Sequence, residues 1–261
     1  MVNNLSIIIS SCDKYSDLWE AHFFLLKKHW IGELPPVYLV TDKYTDYHNN
    51  DVTILVYDGD MPIRLKKACQ EIQTQYVLIT LDDYYLIDNV YADNIKTIVD
   101  WEDSNNVDYL QLYHRRYDKK KYYTEIGVNS VIDLTKKYAI SLYPAIWNKM
   151  FFIYCVDENE TPWQFEPRLT QKAINYGAKC YINNSGAFKI LDVIRKGKVL
   201  HKAHRYLKST GIDIGNRRFV PIGEEIKLKV ADYIWWYAPR WLYKLSRRCA
   251  SKLGMKFYSE E

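Results

Sequence analysis

Glycine is scarce in this chain, ten in 261 residues, and none falls in SSCDKYSD (10–17), which follows the first apolar run. A glycine-cradled phosphate loop at that point is therefore missing. Cysteine is also uninformative as a framework. The five (Cys12, Cys69, Cys155, Cys180, Cys249) are odd in number, far apart and without a CxxC pair. That pattern argues against a disulfide scaffold or a zinc site and fits a reducing cytoplasm. No apolar run approaches the roughly 18 residues that span a bilayer. The opening MVNNLSIIISS has no basic stretch before its apolar residues, so no signal peptide is read and any membrane contact is expected to be peripheral. Repeats and low-complexity segments are absent as well.

Aromatic residues, by contrast, are abundant: 24 tyrosines and eight tryptophans. That is more than a core of this size needs, and such side chains suit sugar sites and membrane interfaces. Charge is distributed unevenly. Residues 233–261 hold six basic side chains and two acidic ones; removing these from the totals of 36 and 32 leaves 30 of each in residues 1–232. A neutral body with a basic tail points to a local anionic partner and away from a protein that coats nucleic acid.

Along the first 112 residues short apolar runs alternate with amphipathic segments. Strands are expected at Leu5–Ser11, Pro36–Thr41, Val52–Tyr57, Tyr76–Leu81 and Val107–Leu112. Helices are expected from Ser16 or Asp17 to about Trp30, from Pro62 to about Thr74, and over about Val90–Trp101. This alternation predicts an α/β fold with a mostly parallel sheet flanked by helices. A basic, tyrosine-rich loop follows at Tyr113–Tyr123. The pattern is then mixed: strands at Val131–Leu134, Tyr138–Tyr143 and Ala178–Ile182, helices from about Asn148 and over Phe165–Tyr176, and helix over 192–210. In this division residues 1–112 form the first half of one domain, 113–222 its second half, and 223–261 a helical tail.

Ligands of an open parallel sheet bind beyond the carboxyl ends of its strands. Those positions here hold Ser10, Ser11 and Asp13 after the first strand, Asp42 after the second, Asp58 and then Arg64 after the third, and Asp82–Asp83 after the fourth. Two adjacent carboxylates at the end of a buried strand repel one another unless a cation or donors compensate. Their hard oxygens suit Mg²⁺ or Mn²⁺, with Asp83 the better metal ligand.

The stretch IRLKKACQEIQTQYVLITLDDYYLI (63–87) resembles the segment of the glycosyltransferase-A fold in which an arginine-led helix precedes a strand ending in a DxD-type motif. Its third position is Tyr84 where the motif has an acid. The segment PWQFE (162–166), followed by a helix and a strand, is similar to the acceptor-side motif of family-2-like inverting enzymes, and the likeness extends over roughly residues 5–210. It implies a bacterial transferase of surface-polysaccharide assembly, such as capsule or O-antigen. It implies a nucleotide-sugar donor such as a UDP-sugar, and Mn²⁺ or Mg²⁺ as cofactor. By the same resemblance Asp13 and Asp42 contact the nucleoside, Arg64 the nucleotide or diphosphate, Asp82 the ribose or sugar, and Asp83 the metal or sugar. Glu166 is the catalytic base, with Glu160 as its neighbouring substitute and Trp163 as a sugar-stacking ring or a core residue.

The basic set from Arg195 to Arg218 is either a diphosphate clamp or a solvated helix face. In the tail, Trp241, Leu242 and Leu245 alternate with Lys244, Arg247, Arg248 and Lys252. That is the composition of an interfacial helix on anionic lipid, or of a helix packed on its own core. If the acceptor is a saccharide on polyprenyl diphosphate, the enzyme sits on the inner face of the plasma membrane. Two other readings remain at this point: an inactive carbohydrate-binding or scaffold subunit, and a nucleotidyl or sugar-phosphate transferase.

Overall fold

Strand β1 (Leu5–Ser10) sends Leu5, Ile7 and Ile9 to one side of a sheet and Ile8 to the other. That is the two-residue period of a strand covered on both faces. In the computed structural model, which describes residues 4–112, 128–136, 138–158, 160–227 and 230, β1 lies near the middle of eight strands. The strands after it are β2 (Trp30–Ile31), β3 (Val37–Thr41), β4 (Val52–Val56), β5 (Tyr76–Leu81), β6 (Tyr84–Leu86) and β7 (Val90–Tyr91). They continue with β8 (Tyr109–Gln111), β9 (Asn129–Val131), β10 (Ala145–Asn148), β11 (Cys180–Asn183), β12 (Ile190–Asp192), β13 (Ile194–Arg195) and β14 (Lys198–Val199). The sheet order is β4-β3-β1-β5-β10-β8-β11-β9. β4, β3, β1 and β5 run parallel, whereas β10 is antiparallel to both β5 and β8.

The helices are α1 (Trp19–His29), α2 (Met61–Glu71), α3 (Ala92–Ser104), α4 (Lys149–Cys155), α5 (Pro162–Tyr176) and α6 (His201–Thr210). One face of the sheet is covered by α2, α4 and α5 through Leu65, Phe151, Phe152, Phe165 and Leu169. The other is covered by α1 and α3 through Trp19, Phe23, Ile95 and Val99. A smaller core joins the outer side of α1 (Leu18, Ala21, Leu25) to Tyr85, Val193 and Leu207 of α6. The mostly parallel α/β arrangement expected from the sequence is thus present. Among the described residues no helix is long and apolar enough to cross a membrane.

Three expectations are corrected. Tyr138–Tyr143 is not a strand; the strand begins two residues later, at Ala145, and Pro144 marks the start. Pro has no N–H to give a central ladder, so only its carbonyl pairs, accepting the Leu112 amide at 2.9 Å. Residues 190–199 form β12, β13 and β14, with Gly197 at φ +76 in the turn, and helix starts only at His201. Neither Ser16 nor Asp17 caps α1: residues Asp13–Leu18 form a 3₁₀ turn leading into it, with no side-chain cap at Leu18. The Tyr113–Tyr123 loop and residues 231–261 of the tail lie outside the described residues.

Asn148 ends β10 and caps α4, accepting the amides of Met150 at 3.0 Å and Phe151 at 3.4 Å. Trp147 beside it is fully buried against Tyr109 and Phe152, with centroids at 4.5 and 5.2 Å. Asn148→Ala is expected to cost about 1 kcal/mol and Trp147→Ala about 3–5 kcal/mol, read as shifts in the urea midpoint at unchanged slope.

Candidate functional site

The parallel register places the carboxyl ends of β4, β3, β1 and β5 along one edge, and most of the residues singled out there touch one another. Ser11 donates its hydroxyl to Oδ2 of Asp82, and the Trp19 indole N–H donates to Ser11 Oγ at 2.6 Å. The Asp82 amide donates to the Ser10 carbonyl at 3.2 Å, which ties β5 to β1 where both strands end. Ser10 is buried in the same place. The Asp13 amide donates to Oδ1 of Asp42 at 2.7 Å, while the Asp13 carboxylate meets Lys43 Nζ at 3.5 Å. Burial would raise the Asp42 pKa, but the Asp13 amide, its own amide and the Arg64 charge outweigh that and hold it below the usual value.

Arg64 is buried and braces this edge from below. Its guanidinium donates to the Ser11 carbonyl at 2.9 Å and to the Gly59 carbonyl at 2.8 Å. Gly59 has φ +108, a conformation open to glycine and strained for other residues, so the bend that aims this carbonyl at Arg64 depends on it. The arginine is thus a strut for the strand end.

Asp82 is buried, and its pKa is pushed up to about 7 by burial, against the lowering effect of the Ser11 hydroxyl and Arg217. Asp83 is raised well above the usual range, by burial first and then by the charges of Asp82 and Asp192. Its Oδ1 is sealed from solvent and has no hydrogen-bond partner. Behind them, His22 is buried with Nδ1 at 3.1 Å from the Asp82 carbonyl. Burial pushes its pKa down to about 4, so the ring is neutral and holds the turn as a donor.

Two contributors were not legible in the sequence. Asp192 ends β12, which pairs antiparallel with β6 so that Asp192 faces Tyr84, and the Val193 amide donates to the Asp83 carbonyl at 2.9 Å. Reading that span as helix hid this third carboxylate. Arg217 crosses from the other end of the chain to bind Asp17 with Nε at 2.5 Å and the Lys14 carbonyl at 2.9 Å, and lies over the Tyr15 ring at 4.7 Å. The basic set containing it was noted, but nothing in the sequence pairs it with Asp17.

A buried carboxylate oxygen without a donor, flanked by two more carboxylates, fits a hard divalent cation. Among the described residues no three Asp, Glu, His or Cys side chains are grouped so as to hold a metal ion, Asp82, Asp83 and Asp192 included. Mg²⁺-like ions keep several waters and substrate oxygens and need only one or two carboxylates.

Glu166 lies one turn into α5, past its first turn, and its Oε1 accepts the Leu142 amide at 3.2 Å. The next residue, Tyr143, stacks on Tyr84 at 5.7 Å and 16°. Glu166 is therefore linked to the Asp83–Tyr84 strand end through two short contacts. Glu160 is fully engaged, accepting Arg168 at 3.3 Å and Lys172 at 3.1 Å. Trp163 is 89% exposed and is not a core residue.

This sheet, helix arrangement and carboxylate-bearing edge define an α/β protein of the glycosyltransferase-A, Rossmann-like type. Similar solved structures include the mannosyltransferase PcManGT from Pyrobaculum calidifontis in complex with GDP-Man and Mn²⁺, with 13% identity and TM-score 0.53 over 98% of this chain and 77% of that one. Residues 1–349 of S. aureus TarS in complex with UDP-GlcNAc match with 16% identity and TM-score 0.52, over 88% of this chain. The chain spans 66% of that TarS structure and 44% of a longer TarS chain. No family model matches the sequence, and no curated protein matches it.

Asp82 has a folded pKa above its unfolded one, so it favours folding below the ordinary carboxylate value of 3.8, and that contribution is lost as pH rises through about 7. Asp83 acts in the same direction. In chelator, the thermal midpoint is expected to fall between pH 5 and 8 (a range of about 3 units) more steeply for wild type than for Asp82→Asn. Equal slopes in a pH-resolved melting series would contradict this.

Proposed function

We propose that the chain is a glycosyltransferase that moves a sugar from a nucleotide-sugar donor, such as a UDP-sugar, to a saccharide acceptor with inversion. The observation that carries this reading is Asp82–Asp83 at the carboxyl edge of the sheet, with Oδ1 of Asp83 sealed and unpartnered. The ligands of two structures sharing the fold, UDP-GlcNAc in one and GDP-Man with Mn²⁺ in the other, support a nucleotide-sugar donor and a divalent ion.

Asp13 and Asp42 take the nucleoside, beside Ser10 and Ser11, and Arg64 keeps the strand end beneath the nucleotide rigid. Asp82 accepts from a ribose or sugar hydroxyl. Asp83, with Asp192 and Asp82 nearby, would hold Mn²⁺ or Mg²⁺. Such an ion neutralises charge growing on a departing diphosphate. Arg217, whose charge favours the ionised form of both carboxylates, is a protein cation that acts on that edge.

The acceptor hydroxyl attacks the anomeric carbon opposite the departing nucleoside diphosphate and gives its proton to Glu166. The Leu142 amide orients that carboxylate through Oε1 and leaves Oε2 for the proton. The acceptor we assign is a saccharide on polyprenyl diphosphate, in the assembly of a surface polysaccharide such as capsule or O-antigen. The enzyme would then be peripheral on the inner face of the plasma membrane, and the basic aromatic sequence of 233–261 supports that placement.

A panel of nucleotide sugars, screened for thermal stabilisation with and without Mn²⁺, tests the reading. One donor is expected to raise the wild-type midpoint, and Asp83→Ala to remove most of the shift. Silence across the panel would overturn the donor site. Glu166→Gln is expected to keep the shift and lower transfer by about 10²–10⁴; unchanged transfer would remove Glu166 from its role.

A further inference from the structure

The face made by α6 and the segment after it has a composition of its own. Ile222, Ile226 and Val230 are 65%, 55% and 50% exposed. Residues 222–227 are helical, so the four-residue spacing of Ile222 and Ile226 puts both on one side as an apolar ridge, and Val230 is exposed after them. Phe219 extends the ridge, stacking on His201 at 5.6 Å and meeting His204 edge-on at 4.7 Å. Between α6 and the ridge lies a cavity of about 320 Å³ lined by His201, His204, Arg205, Ile222, Glu225 and Ile226.

The charge around this ridge is of one sign. α6 carries Lys202, Arg205 and Lys208 and no acid, and Arg218 and Lys227 are exposed beside it. The segment 217–230 has two acids. Glu225 is buried and accepts the His201 amide at 3.1 Å, and Glu224 faces Lys198 at 4.0 Å. An exposed aliphatic and aromatic ridge bordered by solvated cations matches the two-part surface of a bilayer with anionic headgroups, apolar below and negative above. A soluble acidic partner would match the cations and leave the ridge uncovered. At Val230 the helical segment leads straight into the tryptophan- and arginine-rich residues 233–261.

The geometry points to this face as a membrane-docking surface. The Phe219–Ile222–Ile226–Val230 ridge enters the acyl boundary of an anionic bilayer, and Arg205 with His201 and His204 receives a lipid phosphate at the mouth of the cavity. The inference rests on the peripheral-membrane reading above and moves part of the contact from the tail into the folded chain.

Vesicle sedimentation of the full-length protein tests it, with phosphatidylcholine alone and with phosphatidylcholine mixed with phosphatidylglycerol. Wild type is expected to bind the anionic vesicles, more weakly as salt rises. The double variant Ile222→Ser/Ile226→Ser is expected to bind about tenfold or more weakly, and Arg205→Gln about fivefold more weakly. All are surface changes, so melting temperature and the donor-induced shift stay at wild-type values. If the double variant binds like wild type while Trp241→Ser/Leu245→Ser does not bind, the tail alone holds the membrane and this face is overturned. If light scattering shows a wild-type dimer that the double variant abolishes, with vesicle binding unchanged, the ridge is a contact between copies and the inference fails. No vesicle binding by wild type would overturn both this face and the membrane reading, while leaving the donor site to its own test.

Discussion

Keeping two adjacent carboxylates out of water is the constraint around which this fold is arranged. Asp82 and Asp83 end β5 together, where burial and mutual repulsion both favour protonation. Their surroundings offset part of that cost. The Ser11 hydroxyl faces Asp82, the Trp19 indole orients that hydroxyl, and Arg64 fixes the Ser11 backbone. Each of these groups belongs to a different element: the end of β1, α1 and α2. The edge of the sheet is therefore held by polar contacts converging on one strand end, and Asp83 Oδ1 is the oxygen they leave unsatisfied. In a protein interior such an atom is a cost unless a ligand removes it.

The antiparallel strand β10 carries the second half of the arrangement. Its insertion between β5 and β8 reverses chain direction at the centre of the sheet, so the segment just before it arrives at the same edge that β5 leaves. That brings Leu142 and Tyr143 beside Tyr84. The Tyr84 ring, standing where the DxD-type pattern has its second acid, stacks on Tyr143 and joins the segment before β10 to the strand end. Asp192, opposite Tyr84 on β12, adds a further negative charge that acts on Asp83.

The polar edge of the sheet was largely legible from sequence. Its strands are continuous apolar runs, and the rule that ligands gather at their carboxyl ends needs no long-range information. Ser11, Asp42, Arg64 and Asp82 lie together as that rule implies. The parts that were hidden depend on pairings between distant residues. β10 is four residues long, follows a proline and has no period long enough to set it apart from its flanks. β12 to β14 are two or three residues each, so their apolar positions read equally well at helical spacing. Asp17 looked like a helix cap because a cap is local; its partner Arg217 is two hundred residues away.

That long-range pair also connects the site to the outer face. Arg217 reaches Asp17 and Lys14 in the 3₁₀ turn, and two residues on Phe219 reaches His201 and His204 of α6. The backbone between them is pinned on Val199, whose amide donates to the Arg218 carbonyl and whose carbonyl accepts the Val220 amide, each at 2.9 Å. One segment of three residues therefore carries both a cation whose charge acts on Asp82 and Asp83 and a ring packed on α6. A short extended segment fixed at its middle has little freedom to move one end independently of the other. Arg217, whose charge acts on Asp82 and Asp83, and Phe219, which packs on His201 and His204, are thus positioned by the same short segment.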